Sequence, residues 1–420
     1  MKRIRCFAFS FAFVVAVSGM SLTIIGSITG NVTGNGTARA SVDLHTHAFM
    51  DRGAPILFDG HFFGPIRATK WSDALKFQTN PETVLQSGIQ ILVVALYAHP
   101  LARWDMRESV REQIRDAERF VRENPEFVIA KTPADARRAL SDDKRLIVFS
   151  LEGASGILEN DRDIEEFVDR LGIRIVTPVH FSDDFIGGPA LLRGILKLLN
   201  PLAAVKSFFH PRDHESHVLC NPRGATPMGR AFIEKLIVHG VWIDLSHASD
   251  ALVEDLAPIL ERKNLPWLVT HSVLRRHQGS ERGVTDRIVR KIGSSGGMIG
   301  LMPSDVMLGG TTSLPEHCPK GCSREACAQG VHLLARQWVE TLHMTPDAAI
   351  TTGTDYNGTI DRLAPSCGVE KDMDREGLVH IGQHERIWQG LRTLGVPIRE
   401  KHDERIERFV SAWEKVSKTR

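Results

Sequence analysis

Charge of neither sign is in excess in this chain: 52 Lys and Arg stand against 51 Asp and Glu, a formal net charge of +1 at pH 7. It also has no long basic block. Nucleic-acid binding rests on neutralising phosphates, so no nucleic acid is expected as a partner. Internal repeats, a collagen-like period and low-complexity tracts are absent as well, which excludes the repetitive and fibrous classes. The C-terminus, SAWEKVSKTR, has no hydrophobic tail, and no lipid anchor of the GPI type is expected there. Cysteine is sparse: apart from Cys6 there are Cys220, Cys318, Cys322, Cys327 and Cys367. What remains is 420 residues with an ordinary 42% hydrophobic content. That is enough for one large α/β barrel or two average domains.

The N-terminus differs from the rest. Lys2, Arg3 and Arg5 precede the apolar run FAFSFAFVVAVSGMSLTIIGSITG, and the next charge is Arg39. A basic start, an apolar run and the small-residue site Ala38-Arg39-Ala40 have the form of a secretory signal, and the run is long enough for an uncleaved membrane anchor. Residues 1–40 are therefore expected to be a signal peptide or membrane anchor and residues 41–420 an exported body, periplasmic or extracellular. Export permits disulfides, so CPKGCSREAC reads as loop-stapling disulfides rather than a metal knot, with one of the five thiols left over.

Eight short apolar, β-branched runs follow: Val42–His47, Ile89–Tyr97, Leu146–Leu151, Ile173–Val179, Val241–Ser246, Trp267–Thr270, Met298–Met302 and Ala349–Thr354. Helical patterns separate most of them, at Met106–Arg122, Asp161–Leu171, Pro227–His239, Ala251–Arg262, Thr285–Gly293 and Glu325–His343. This alternation predicts a parallel sheet with helices outside, and eight units predict a (β/α)8 TIM-type barrel with added loops and C-terminal helices. The active site of such a barrel lies at the C-terminal ends of its strands.

Those ends carry the chemistry. The first run gives His45 and His47, two apart and so on one face. The third gives Glu152, the fourth His180, the fifth His247, the sixth His271 and the eighth Asp355. The second ends near Tyr97 and His99, the seventh near Met302 and Asp305. A lone histidine at a strand end is usually structural; convergence of this many is not. Imidazoles and carboxylates are ligands for zinc and similar divalent ions. The set exceeds the needs of one catalytic ion, whereas two ions bridged by a carboxylate would use all of it in a hydrolytic site.

These segments resemble the membrane dipeptidases (renal dipeptidase-like) of the amidohydrolase superfamily. GATPMGRAFIEKLIVHGVWIDLSHAS, from Gly224 to Ser249, is the closest stretch; SLEG around Glu152, TPVH at His180, THS at His271 and TGTDYNG around Asp355 follow the family order. The resemblance implies two divalent metal ions, zinc in the family, bridged by Glu152, with His45 and His47 on one and His247 and His271 on the other. It implies Asp355 beside the first metal as general base, His180 as the substrate-binding and oxyanion-stabilising residue, and Arg282 as receptor of the dipeptide's free carboxylate. The expected function is thus exported dipeptide hydrolysis. The alternatives are a superfamily hydrolase acting on another small amide, a lactone or a phosphoester, and a catalytically degenerate binding protein.

Three departures bear on metal and substrate choice. His47 stands where the family usually has Asp, Gly283 where it usually has Asn, and Arg275, Arg276 and His277 make the segment before Arg282 unusually basic. Two stretches look added. Gly187–Cys220 contains an apolar amphipathic piece suited to a lid, a membrane contact, a homodimer interface or plain core packing; Pro303–Cys327 is a Cys-rich loop. His380 and His384, four apart, are expected to be solvated, and His210, His214 and His217 to form a surface patch.

Overall fold

A computed structural model describes residues 41–49, 78–98, 105–192, 197, 199–209, 218–309, 321–323, 330–358, 363, 378, 380–398 and 402–419. The N-terminal stretch, the histidines at 99, 210, 214 and 217, and Cys318, Cys327 and Cys367 lie outside them. Among the described residues no helix is long and apolar enough to cross a membrane.

Nine strands form one parallel sheet: β1 (Ser41–Thr46), β2 (Ile89–Leu96), β3 (Phe127–Ile129), β4 (Arg145–Glu152), β5 (Ile173–Thr177), β6 (Trp242–Ile243), β7 (Leu268–Ser272), β8 (Met298–Leu301) and β9 (Ile350–Thr352). Eight follow the order β6-β5-β4-β2-β1-β9-β8-β7, and a parallel bridge between Asp244 and Leu268 joins the two ends. The result is a nearly closed (β/α)8 barrel, as expected. Each of the eight apolar runs supplies one barrel strand. The added strand is β3, which pairs with Arg145–Ile147 of β4, the edge that β5 leaves uncovered because its pairing starts at Phe149.

Helices pack outside: α1 (Pro81–Gln86), α2 (Met106–Glu123), α3 (Pro133–Ser141), α4 (Pro201–Ser207), α5 (Pro227–Val238), α6 (Asp250–Arg262), α7 (Asp286–Ser295), α8 (Val331–Leu342), α9 (His384–Thr393) and α10 (His402–Ser417). The expected helix at Asp161–Leu171 is α-helical only over Asp161–Asp163 and continues as a π-helix over Ile164–Arg170. Side-chain caps fix where several helices start. Thr226 accepts from the Gly229 amide before α5, with Pro227 in its first turn, and Ser249 accepts from the Leu252 amide before α6. The C-terminal helices close onto the barrel through Arg405, which is fully buried. Its guanidinium donates to the Ile350 carbonyl (2.8 Å) and to Asp347 (2.6 Å), and lies 4.9 Å from the Trp388 ring centroid.

The segment after β5 is only partly a core element. In α4, Ala203, Ala204 and Ser207 are buried, while Leu202 is 71% exposed and Phe209, just after the helix, 83%. His384 corrects the sequence reading. It is 1% exposed, with Nε2 2.7 Å from Thr352 Oγ1 and Nδ1 3.2 Å from Ser41 Oγ, because this face of α9 packs against β1 and β9. Of the cysteines, Cys322 is disulfide-bonded and Cys220 is a free thiol.

Candidate metal centre

Alternation along a strand puts His45 and His47 on the same side of β1, and the other strand ends bring their donors to the same point. Glu152, ending β4, lies at the centre. Its Oε1 is 3.1 Å from His247 Nε2, 3.2 Å from His271 Nε2, and 3.6 Å from both His45 Nε2 and His180 Nε2. Its Oε2 is 3.4 Å from His47 Nε2. Asp355 Oδ1 stands 3.3 Å from His47 Nε2 and 3.7 Å from His45 Nε2. Donor atoms on one tetrahedral ion at about 2.0–2.1 Å lie about 3.3–3.4 Å apart, so these spacings suit cation ligation. Three of the four potential ligand groups among the described residues fall here: His45, Glu152 and His271; His45, His47 and Asp355; and Glu152, His180 and His247; the fourth is Cys220, Asp250 and Glu281. His45 Nε2 is buried and has no hydrogen-bond partner.

Backbone geometry aims two of these residues. His247 and Asp355 adopt left-handed conformations, with φ of 63° and 52°. Non-glycine residues enter that region at a cost and persist where the surroundings over-determine them, often at functional sites. Asp355 donates its amide to the His45 carbonyl (2.8 Å), and His47 donates to the Tyr356 carbonyl (3.0 Å), tying β1 to the turn after β9. Asn357, with φ of 67°, completes that turn by donating to the carbonyls of His47 and Thr79.

A buried carboxylate behind the cluster orients the imidazoles. Asp244 accepts from the Thr177 hydroxyl (2.6 Å), the Ser246 amide and hydroxyl, and the Thr270 amide and hydroxyl (2.6 Å). Thr270 spends its one hydroxyl proton on Asp244, so its lone pairs face His271 Nδ1 at 2.9 Å and His45 Nδ1 at 3.3 Å. Both rings then carry the proton on Nδ1 and turn the Nε2 lone pair to Glu152. Asp43, within β1, ties that strand to the end of β9 by accepting from the His45 amide and from Thr352 and Thr354. Asp244 and Thr270 fall inside the stretches WIDLSHAS and THS, yet neither they nor Asp43 were singled out from the sequence, since attention went to the histidines at the strand ends.

Electrostatics divide the donors. For the protein groups alone, burial presses His45 down to about 3 and His247 to about 4, and holds His180 and His271 well below the usual imidazole range. These four stand neutral at pH 7, as metal ligands must. Burial opposes charge on His47 too, but its bonds to Asp355 and Glu152 outweigh that and push it up to about 10. Burial works against ionising Glu152, yet its pairing with the imidazoles around it, the protonated His47 among them, holds it well below the ordinary carboxylate range. Burial raises Asp355 to about 6.

Arg282 stands at the rim of this cluster, 5% exposed. Its Nη2 lies 3.1 Å from His247 Nε2, while Nη1 is buried without a partner. Tyr97 and Phe181 flank His180, their ring centroids 4.9 and 3.6 Å from its own. The substitution at Gly283 has a steric reason: a Cβ there would come within 2.6 Å of Arg275 Cα. Asp305, near the end of β8, is occupied elsewhere, accepting from the Gly330 amide.

Comparison with known proteins identifies the family and the fold. The family model "Membrane dipeptidase (Peptidase family M19)" matches residues 41–190 and 200–355. Among solved structures, a metallopeptidase from Rhodobacter sphaeroides liganded with a phosphinate mimic of the dipeptide L-Ala-D-Ala superposes with TM-score 0.61 at 18% identity, covering 90% of this chain and 99% of that one. The probable dipeptidase PvdM from Pseudomonas aeruginosa gives 0.59 at 16% identity, covering 82% and 90%. Dipeptidase 3 of Rattus norvegicus is 34% identical over 83 residues, which is 20% of this chain and 16% of the rat protein. The match to the family model runs through every strand end described above, and the chain belongs to the membrane dipeptidase family of metallopeptidases, peptidase family M19.

Proposed function

We propose that this chain is an exported dipeptidase that holds two zinc ions and hydrolyses the amide bond of a dipeptide bearing a free carboxylate. The observation that carries this reading is Arg282. Burying a guanidinium costs several kcal/mol unless an anion meets it, and its Nη1 is unpartnered beside the imidazole–carboxylate cluster. A planar two-nitrogen donor suits a carboxylate. The phosphinate dipeptide mimic bound by the Rhodobacter sphaeroides relative is consistent with a substrate of that size.

In this reading Glu152 would be shared by the two ions, His45 and His47 would hold the first, and His247 and His271 the second. When bound, the ions supply an activated water and polarise the scissile carbonyl. Asp355 takes the proton from the attacking water and delivers it to the leaving amine as the C–N bond breaks. His180 meets the oxygen on which negative charge develops. Arg282 fixes the C-terminal carboxylate, which sets the distance from that end to the bond cleaved. His47 is neutral once it has given up its proton to ligate, where the family usually has Asp, and so lowers the negative charge around the first ion by one. Residues 1–40 carry the export signal or anchor.

The test is release of free amino acids from a panel of L,L and L,D dipeptides by the zinc-loaded full chain, beside the Asp355→Asn variant. Turnover by the wild type alone, with the variant folded, is expected. Full activity in Asp355→Asn would remove it as the base. Silence towards every dipeptide with two ions bound would favour another small amide or ester.

A further inference from the structure

The segment between β5 and β6 leaves the barrel near Leu191 and returns near Asn221. Both ends close on one side chain. Glu281 Oε2 accepts from the Leu191 amide at 2.7 Å and from the Asn221 amide at 2.8 Å. Its Oε1 accepts from the Asp250 amide at 2.9 Å, the first residue of α6 and three beyond His247. Glu281 is 2% exposed. A carboxylate of this kind with only backbone N–H donors as partners is a clasp, since it fixes chain positions rather than side chains.

The residue after Glu281 is Arg282, and its backbone is held on three consecutive carbonyls. Arg275 donates to the carbonyls of Glu281 (3.1 Å) and Gly283 (2.9 Å), and the Ser272 hydroxyl donates to that of Arg282 (3.0 Å). Arg275 is itself locked by a two-pronged pair with Asp250, at 2.6 and 2.5 Å. Side chain and main chain of Glu281 therefore join Leu191, Asn221, the start of α6 and the arginine in one connected set.

Resting on the reading of Arg282 as the carboxylate receptor, we propose that Glu281 is a positioning residue that couples Leu191 and Asn221, the two ends of the connection between β5 and β6, to Arg282 and so sets affinity for the substrate's carboxylate end. Its removal leaves the reacting centre intact but frees Arg282 to swing. Glutamine is the informative replacement. It keeps the volume yet turns an amino group towards an N–H donor, losing at least one of the three bonds.

The experiment uses the zinc-loaded full chain with Glu281→Gln, and Glu281→Asp in parallel as a variant that keeps the carboxyl group but withdraws it by one methylene. Kinetics are read on a free dipeptide and on its C-terminal amide, and amide hydrogen exchange is read at Leu191, Asn221 and Asp250. Faster exchange at one or more of the three amides is expected, with KM for the free dipeptide up about tenfold, kcat within about twofold and the amide substrate unaffected. Equal KM rises on both substrates, a loss confined to kcat, or unchanged exchange would overturn the coupling. Arg282→Ala separates the two levels. If it discriminates free from amidated substrate and Glu281→Gln does not, the coupling alone falls; if neither discriminates, the carboxylate reading falls and the coupling with it.

Discussion

At the scale of single residues, the centre depends on groups that never face substrate. Asp244 is the clearest: five hydrogen bonds converge on its carboxylate, and the proton it takes from Thr270 decides which nitrogens of His45 and His271 are free. Asp244→Asn replaces one acceptor oxygen with a donor facing Thr270 or Ser246. Metal affinity should fall about 10–100-fold, with activity recovering at high zinc. A competition titration against a chelator measures this; unchanged affinity would show that Thr270 does not set the tautomers. His384 makes a related point about reading sequence. Its i, i+4 spacing with His380 is visible, but which face of α9 meets Thr352 and Ser41 depends on packing between segments far apart in the chain.

At the scale of elements, the strands were legible because β-branched runs recur between helical periods, and the site because six of those runs end in a ligand-type residue. What was not legible follows from length and backbone. β3 has three residues, too few for a pattern, and is fixed by the free edge of β4. β6 keeps only Trp242 and Ile243 as strand, because the chain turns away to place His247 at positive φ. The helix after that turn needs a firm start. Ser249 supplies it, accepting from the Leu252 amide and donating to the Arg223 carbonyl (2.8 Å). Ser249→Ala should lower stability by about 1–2 kcal/mol in urea unfolding. By contrast Phe209→Ser, at an exposed position beyond α4, should change it by less than about 0.5 kcal/mol. The reverse order of effects would mean that α4 is covered and α6 is not capped as described.

For the whole molecule, the family and the barrel could be inferred before any coordinates, whereas the electrostatic balance of the centre could not. Sequence supplies the donors; burial decides their charge. Four imidazoles held neutral and an ionised Glu152 leave a cluster that favours a cation, and His47, raised to about 10 between Asp355 and Glu152, marks where protons compete with one. An ion that binds only the folded chain stabilises it by about 2.7 kcal/mol at a hundredfold excess over Kd. Removing metal with a chelator should therefore lower Tm by several degrees, and zinc should restore it with saturation at two ions per chain. The gain should shrink as pH falls, because His47 must give up its proton before it can ligate and becomes harder to deprotonate. Glu152→Gln should abolish most of the zinc-dependent rise, since the carboxylate faces every imidazole in the cluster. Calorimetry with and without zinc at pH 6 and pH 8 reads all three effects. A zinc response that is independent of pH, or that survives Glu152→Gln intact, would place the stabilising ions elsewhere in the molecule.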